Sequence, residues 1–294
     1  MPTSKHQKLK FNKFYVFAID MLLPTAIMVV ILFNGRHYNA TINYGNNHKA
    51  GHYTQVNGIK MYYETYGIGK PLLFIHGNGG SIRSGKDQIP FFSKNYKVIA
   101  ADGRGQGKTI DTGDSLTYDM MADDINALLN KLKIDSVYII GFSDGGIIGL
   151  ILAIKYPRKV KMLAAMAPNI RPDSAVLYPG LMNELAQDMV NLTDLVTQGY
   201  KDKISKLKLT RLMVNHPHIS TAELSLIQAP VLIMSGDRDM IMLSHITEIF
   251  RGIPKSQLCV LPGSTHFALQ QNSKVFNEAI DLFFSKPFEM PNSF

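Results

Sequence analysis

The chain contains no tryptophan and only one cysteine among its 294 residues. A single cysteine excludes an intrachain disulfide, so no disulfide framework can hold the fold. Cys259 lies in the apolar run Leu258-Cys259-Val260-Leu261 and reads as a core thiol rather than a nucleophile. Charge is sparse as well, at 18% of residues. The formal balance is +8, but Lys5, Lys8, Lys10 and Lys13 supply half of it. The basic excess therefore gives no reason to expect nucleic acid as a partner. No internal repeat or low-complexity tract is present. What the chain does have is a hydrophobic content of 46%, enough to core one large domain carrying an insertion.

Phe14 to Phe33 is a nearly continuous apolar run, broken by Asp20 and by Pro24-Thr25. Its length matches the roughly 20 residues that span a bilayer. The lysines before it favour a cytoplasmic N-terminus. Asn34-Gly35-Arg36-His37 offers no small-x-small cleavage pattern for a signal peptidase. The expectation is a basic flank over 1–13, a transmembrane or signal-anchor segment over 14–33 and an Asn- and Gly-rich linker over 34–51. The rest of the chain would then be membrane-anchored and extracytoplasmic, or exported if the segment is cleaved.

From residue 52 onward, short apolar runs alternate with helical patterns. Tyr53 to Val56 and Lys60 to Tyr66, joined by Asn57-Gly58, predict an antiparallel hairpin. Leu72–His76, Val98–Asp102, Val137–Phe142, Met162–Ala167, Val231–Ser235 and Gln257–Leu261 read as buried strands. Tyr118 to Leu132 and Ser273 to Phe284 read as helices. Such alternation predicts an α/β fold with a mostly parallel sheet covered by helices on both faces. Residues 170–228 interrupt it with helical periodicity over Leu181 to Val196 and no clear strand. The core is thus 52–169 and 229–294, with 170–228 as a helical insertion. Met182, Met189 and Met213 in the insertion read as packing residues with the option of lining a pocket. His216 and His218 flank a proline in a loop, a spacing that points to solvated side chains more than to a metal site.

The chemistry concentrates at strand ends. Gly141-Phe142-Ser143-Asp144-Gly145-Gly146 follows one apolar strand and opens an apolar helix pattern. A turn that thrusts a serine outward there leaves no room for side chains two residues to either side, which explains the glycines. A serine hydroxyl needs a neighbouring base, and the base needs an orienting acid. Gly236-Asp237-Arg238-Asp239 ends a later strand and offers two carboxylates. Pro262-Gly263-Ser264-Thr265-His266 ends the last strand and offers the base. A third loop, His76-Gly77-Asn78-Gly79-Gly80, follows the strand over Leu72–His76. Main-chain N–H groups in such loops stabilise an oxyanion, and the candidates are Asn78 and Asp144, with Gly79 the alternative to Asn78. His76 reads as a structural, hydrogen-bonded histidine.

Together these five segments, including Asp102-Gly103-Arg104-Gly105-Gln106-Gly107, resemble the α/β-hydrolase superfamily of serine hydrolases over about residues 50 to 285. The resemblance implies Ser143 as nucleophile, His266 as base and Asp239 as acid, with Asp237 the alternative. It implies a cap over the site at 170–228, a structural role for Arg104, and no metal or organic cofactor. The implied activity is cleavage of an ester or related acyl bond of a small, partly apolar molecule. The same residues acting on a lactone, an amide or a carbon–carbon bond, or a ligand-binding protein on the same scaffold, are the alternatives. A serine nucleophile separates the chain from dehalogenases and epoxide hydrolases of this fold, which attack with a carboxylate. Asn169 is no acid, so the strand before it supplies none. The Gly-Asn-Gly-Gly loop lacks the proline usual in meta-cleavage carbon–carbon hydrolases. The absence of tryptophan removes a residue often found near this loop in cofactor-free haloperoxidases.

Overall fold

Asn57 and Gly58 both adopt positive φ, 40° and 82°, the backbone that turns a two-residue hairpin with the right twist. They join β1 (Gly51–Val56) to β2 (Ile59–Tyr66), which pair antiparallel with Val56 opposite Ile59. The computed structural model describes residues 42–289. Six further strands follow: β3 (Lys70–Ile75), β4 (Tyr96–Ala101), β5 (Val137–Phe142), β6 (Val160–Met166), β7 (Val231–Gly236) and β8 (Ser256–Leu261). They form one sheet in the order β1-β2-β4-β3-β5-β6-β7-β8. β2 runs antiparallel to β4, and from β4 to β8 every neighbour is parallel. β5 and β7 are buried along their whole length, which is why they read as unbroken apolar runs rather than alternating ones.

Six helices of ten residues or more lie among the described residues: α1 (Tyr118–Lys131), α2 (Asp144–Lys155), α3 (Leu181–Thr197), α4 (Ile204–Asn215), α5 (Leu243–Gly252) and α6 (Ser273–Ser285). Thr117 starts α1 by accepting a hydrogen bond from the Met120 N–H, a side-chain N-cap. α2 is buried from Asp144 through Ala153, so it packs as a core element with no solvent face. Leu150 and Leu152 of this helix, Ile139 of β5 and Leu163 of β6 are all fully buried. Each such side chain contributes roughly 1.5–3 kcal/mol relative to exposure.

Between β6 and β7 the chain carries α3 and α4. α3 buries only Leu192 fully, whereas α4 buries Leu207 to Thr210 and Leu212. Lys208 of α4 is one of those buried residues. Its ammonium pairs with Asp111 and donates to the Gly113 carbonyl at 2.6 Å. Asp111 also takes Arg104 Nη1 at 3.1 Å, and Arg104 grips both carboxylate oxygens of Asp124 at 2.7 Å. Arg104 thereby fastens the loop after β4, the structural role expected of it.

The expected membrane anchoring is corrected. Among the described residues no helix is long and apolar enough to cross a membrane. α2 is apolar but has only 12 residues, short of the roughly 20 a span requires. α3 has 17 and carries Glu184, Asp188 and Asp194. The run from Phe14 to Phe33, on which the anchor was placed, lies outside the described residues. The membrane-anchored or exported placement and the membrane as a partner are therefore not carried forward.

Candidate active site

The chain order along the sheet reverses at β3 and β5. β3 leads outward to β4 on one side, and β5 then takes up the other side of β3. Ligands of open α/β sheets bind beyond the strand ends at such a switch point. The loops carrying Asn78 and Ser143 leave the C-terminal ends of these two strands. The loops carrying Asp239 and His266 leave β7 and β8, so four separate segments meet along one edge.

Ser143 sits at φ 53°, ψ −117°, between β5 and α2. For a residue with a side chain this backbone costs of order 1–3 kcal/mol. It is held by the Ser143 N–H donating to the Met166 carbonyl at 2.8 Å and by the Gly146 N–H donating to the Ser143 carbonyl at 2.8 Å. The flanking glycines are sterically required. A Cβ on Gly141 would strike the Gly145 carbonyl oxygen, and one on Gly145 would strike the Ile75 carbonyl oxygen.

His266 Nε2 lies 3.0 Å from Ser143 Oγ, and His266 Nδ1 lies 2.8 Å from Asp239 Oδ1. The Asp239 side chain is only 1% exposed. It also accepts from the Ile241 N–H at 3.0 Å and the Gly236 N–H at 3.3 Å, which fixes its plane against the imidazole. Phe142 and Phe267 pack on the imidazole with ring centroids at 5.2 and 5.7 Å. Asp237 points elsewhere: it is exposed and accepts from the Ser264 N–H at 3.1 Å. Of the two carboxylates left open by the spacing, Asp239 is the one that reaches His266.

Among the described residues, no main-chain hydrogen bond uses the N–H of Asn78 or Asp144. The Gly79 N–H donates to Gln106 Oε1 at 2.6 Å and is already engaged. Asp144 opens α2, whose first N–H groups have no intrahelical acceptor and carry the positive end of the helix dipole. His76 Nε2 accepts from the Gly103 N–H at 2.9 Å, so Nδ1 donates to the Gly77 carbonyl at 2.8 Å. Burial lowers its pKa and holds the ring neutral. It serves the loop geometry and not the chemistry.

From the sequence Asp144 has only a main-chain role. Its side chain proves to be buried, 4% exposed, and bonded at both oxygens. Tyr118 Oη donates to Oδ1 at 2.9 Å and Asn78 Nδ2 donates to Oδ2 at 2.9 Å. Burial pushes the Asp144 pKa up to about 6, against the lowering effect of these donors and of nearby His266. An acid immediately after the candidate nucleophile, amid glycines and isoleucines, was the available signal. Gln106, the partner of Gly79, carried no such signal.

Beside His266 a cleft of about 390 Å³ runs between the β7 and β8 loops and the start of α3, walled by Tyr178, Leu181, Met240 and Phe267 with Arg238 and Glu184 at its polar positions. Its methionine is Met240; Met182, Met189 and Met213 do not line it. His216 and His218 stack edge to face at 5.7 Å. Among the described residues no group of three His, Cys, Asp or Glu side chains is arranged to hold a metal ion.

The model of the alpha/beta hydrolase fold family matches residues 70–216, and the chain belongs to that family. It is similar to the AB hydrolase superfamily protein YisY of Bacillus subtilis, 27% identical over 79% of this chain and 98% of that protein. It is 25% identical to the mouse serine hydrolase BPHL over 78% of this chain and 84% of that one. Among solved structures, a meta-cleavage product hydrolase from Pseudomonas fluorescens IP01 superposes with a TM-score of 0.67 at 22% identity, covering 81% of this chain and 99% of that one. That last likeness speaks to the fold.

Proposed function

We propose that the protein is a serine hydrolase that cleaves an ester or related acyl bond of a small, partly apolar molecule through an acyl-enzyme. The observation that carries the reading is the unbroken series Ser143 Oγ, His266 Nε2 at 3.0 Å, and Asp239 Oδ1 at 2.8 Å from Nδ1. Ser143 Oγ attacks the carbonyl carbon and gives its proton to His266 Nε2. Asp239 holds the imidazole in the tautomer with Nδ1 protonated and stabilises the imidazolium that forms. The carbonyl oxygen becomes an oxyanion between the N–H groups of Asn78 and Asp144, helped by the N-terminus of α2. As the tetrahedral adduct collapses, His266 returns the proton to the leaving oxygen. A water oxygen then attacks the acyl carbon as His266 takes its proton, and His266 returns that proton to Ser143 Oγ as the carbon–Oγ bond breaks and the carboxylic acid leaves.

The insertion over 170–228 acts as a cap in this reading. Tyr178 and Leu181 bring its first part against the cleft that His266 lines, so the apolar part of the substrate lies there and water is limited. The likeness to BPHL, a serine hydrolase, supports the nucleophile class. A lactone is the second reading, favoured by the same acyl chemistry: ring opening needs no separate leaving group to depart.

The test is hydrolysis of short-chain p-nitrophenyl esters and a panel of lactones by wild type and by Ser143→Ala. Wild-type turnover that disappears in the alanine variant is expected. Undiminished turnover in Ser143→Ala sinks the assignment, and lactone turnover without ester turnover moves the second reading ahead of the first.

A further inference from the structure

Asp144 is an expensive residue for its position. It packs among Gly145, Gly146 and Ile147 on a helix with no solvent face, and among the described residues no Lys or Arg salt-bridges it. A buried carboxylate without a countercharge costs several kcal/mol, where an apolar residue of similar size costs nothing. Its two oxygens are spent on two different parts of the molecule. Oδ1 takes the hydroxyl of Tyr118, from the first turn of α1, and Oδ2 takes the side-chain amide of Asn78. Asn78 Nδ2 uses its other hydrogen on the Leu209 carbonyl of α4 at 3.3 Å. An amide nitrogen has two hydrogens, and both are thus committed, one to α2 and one to the insertion.

We propose that the Asp144 carboxylate is a positioning residue that grips the Asn78 side chain and thereby fixes the Asn78 main-chain N–H opposite its own. The inference rests on the reading of those two N–H groups as the oxyanion donors. One donor belongs to the loop after β3, the other to the start of α2, and among the described residues no other side-chain hydrogen bond joins the two. The bond between Asn78 Nδ2 and Asp144 Oδ2 is therefore the strut that sets their separation. The Leu209 contact extends it to α4, so the oxyanion site is aligned only with the insertion seated. Buried Tyr118 keeps its proton, its pKa raised by burial and by Asp144, and stays a donor to Oδ1. His266 is the other titratable group whose charge Asp144 senses.

The test compares wild type with Asn78→Ala, Asp144→Asn, Asp144→Ala and the Asn78→Ala/Asp144→Ala double variant, each checked for native circular dichroism and melting. Asn78→Ala keeps the main-chain N–H and loses only the strut. Hydrolysis of p-nitrophenyl acetate should show kcat reduced about tenfold or more in Asn78→Ala and Asp144→Ala, since misplacement by about 1 Å can cost a hundredfold, and less in Asp144→Asn, whose amide oxygen still accepts from Asn78. KM should stay within about twofold, because the interaction gained is one of the transition state. The double variant should be no slower than the slower single, as both substitutions cut one link.

In ¹⁵N NMR, the Asn78 side-chain amide of wild type should titrate with Asp144, and that titration should vanish in Asp144→Asn, where the main-chain Asn78 signal also moves. Full kcat in Asp144→Ala, losses that multiply in the double variant, or Asn78 signals indifferent to Asp144 would each overturn the positioning role. A wild type inactive on every ester would count against the proposed function instead, and the NMR measurement would then decide this inference alone.

Discussion

Asp239 reaches His266 and Asp237, two residues earlier, does not. The Asp239 carboxylate lies 2.8 Å from Nδ1, while Asp237 is turned to the Ser264 N–H. The bend after β7 separates two chemically identical side chains into a buried one and an exposed one. Asp239→Asn should lower kcat by about 10³- to 10⁴-fold, the scale of losing the correct imidazole tautomer. Asp237→Asn should cost less than about threefold, since it loses a partly exposed bond in a turn. Ester kinetics on the two variants check this, and equal losses would count against the assignment.

Gly145→Ala should be damaging without touching the chemistry directly. The new methyl group would meet the Ile75 carbonyl oxygen, which is main chain and cannot swing away. Overpacking of this kind costs about 1–3 kcal/mol. For a domain of this size that lowers Tm by about 2–4 °C per kcal/mol. Because Ile75 precedes the Asn78 loop, ester turnover should fall as well. Thermal melts of Gly145→Ala against Gly113→Ala separate clash from simple loss of glycine, since Gly113 is not at positive φ and a Cβ there would meet nothing closer than Asp111 at 3.5 Å.

The strands were legible because their burial is written locally: a run such as Val137 to Phe142 is apolar at each position except Gly141, whose missing side chain the turn requires. Ser143, Asp239 and His266 were legible for a related reason. Each follows a strand, and a parallel sheet brings strand ends to one edge whatever the intervening sequence. The residues alone left Asp237 and Asp239 open and only the resemblance preferred Asp239, because both stand after the same glycine and only the path of the bend distinguishes them. The Asp144–Asn78 bond spans 66 residues and the Lys208–Asp111 pair spans 97. No periodicity connects such partners, so neither could be read from the chain.

Lys208 and Asp111 hold the insertion to the loop after β4, with side chains 7% and 2% exposed. Burial works against the Asp111 charge, but Lys208 and Arg104 outweigh it and hold its pKa below the ordinary value. Asp111→Ala strands the Lys208 ammonium, whereas Lys208→Met leaves Asp111 with Arg104. Breaking a buried pair by removing one partner costs about 3–5 kcal/mol, while an apolar replacement can be close to neutral. Urea unfolding should therefore show a large loss for Asp111→Ala and a much smaller one for Lys208→Met. Equal losses would mean that the pair itself, and not the stranded charge, carries the effect.

Asp144 should also leave a mark on stability as a function of pH. Its pKa is raised from 3.8 to about 6 by burial, so the folded state holds this proton more tightly than the unfolded chain does. The stability the group contributes is fully present below about pH 4 and is lost as pH rises through about 6. A shift of this size corresponds to about 3 kcal/mol between the two limits. Asp144→Asn cannot titrate, so the stability of wild type relative to this variant should decline between pH 4 and 6 and then stay level to pH 8. Urea denaturation at each pH measures the difference. A flat difference across that window would mean that Asp144 ionises in the folded protein as it does in the unfolded chain, and that burial does not govern its charge.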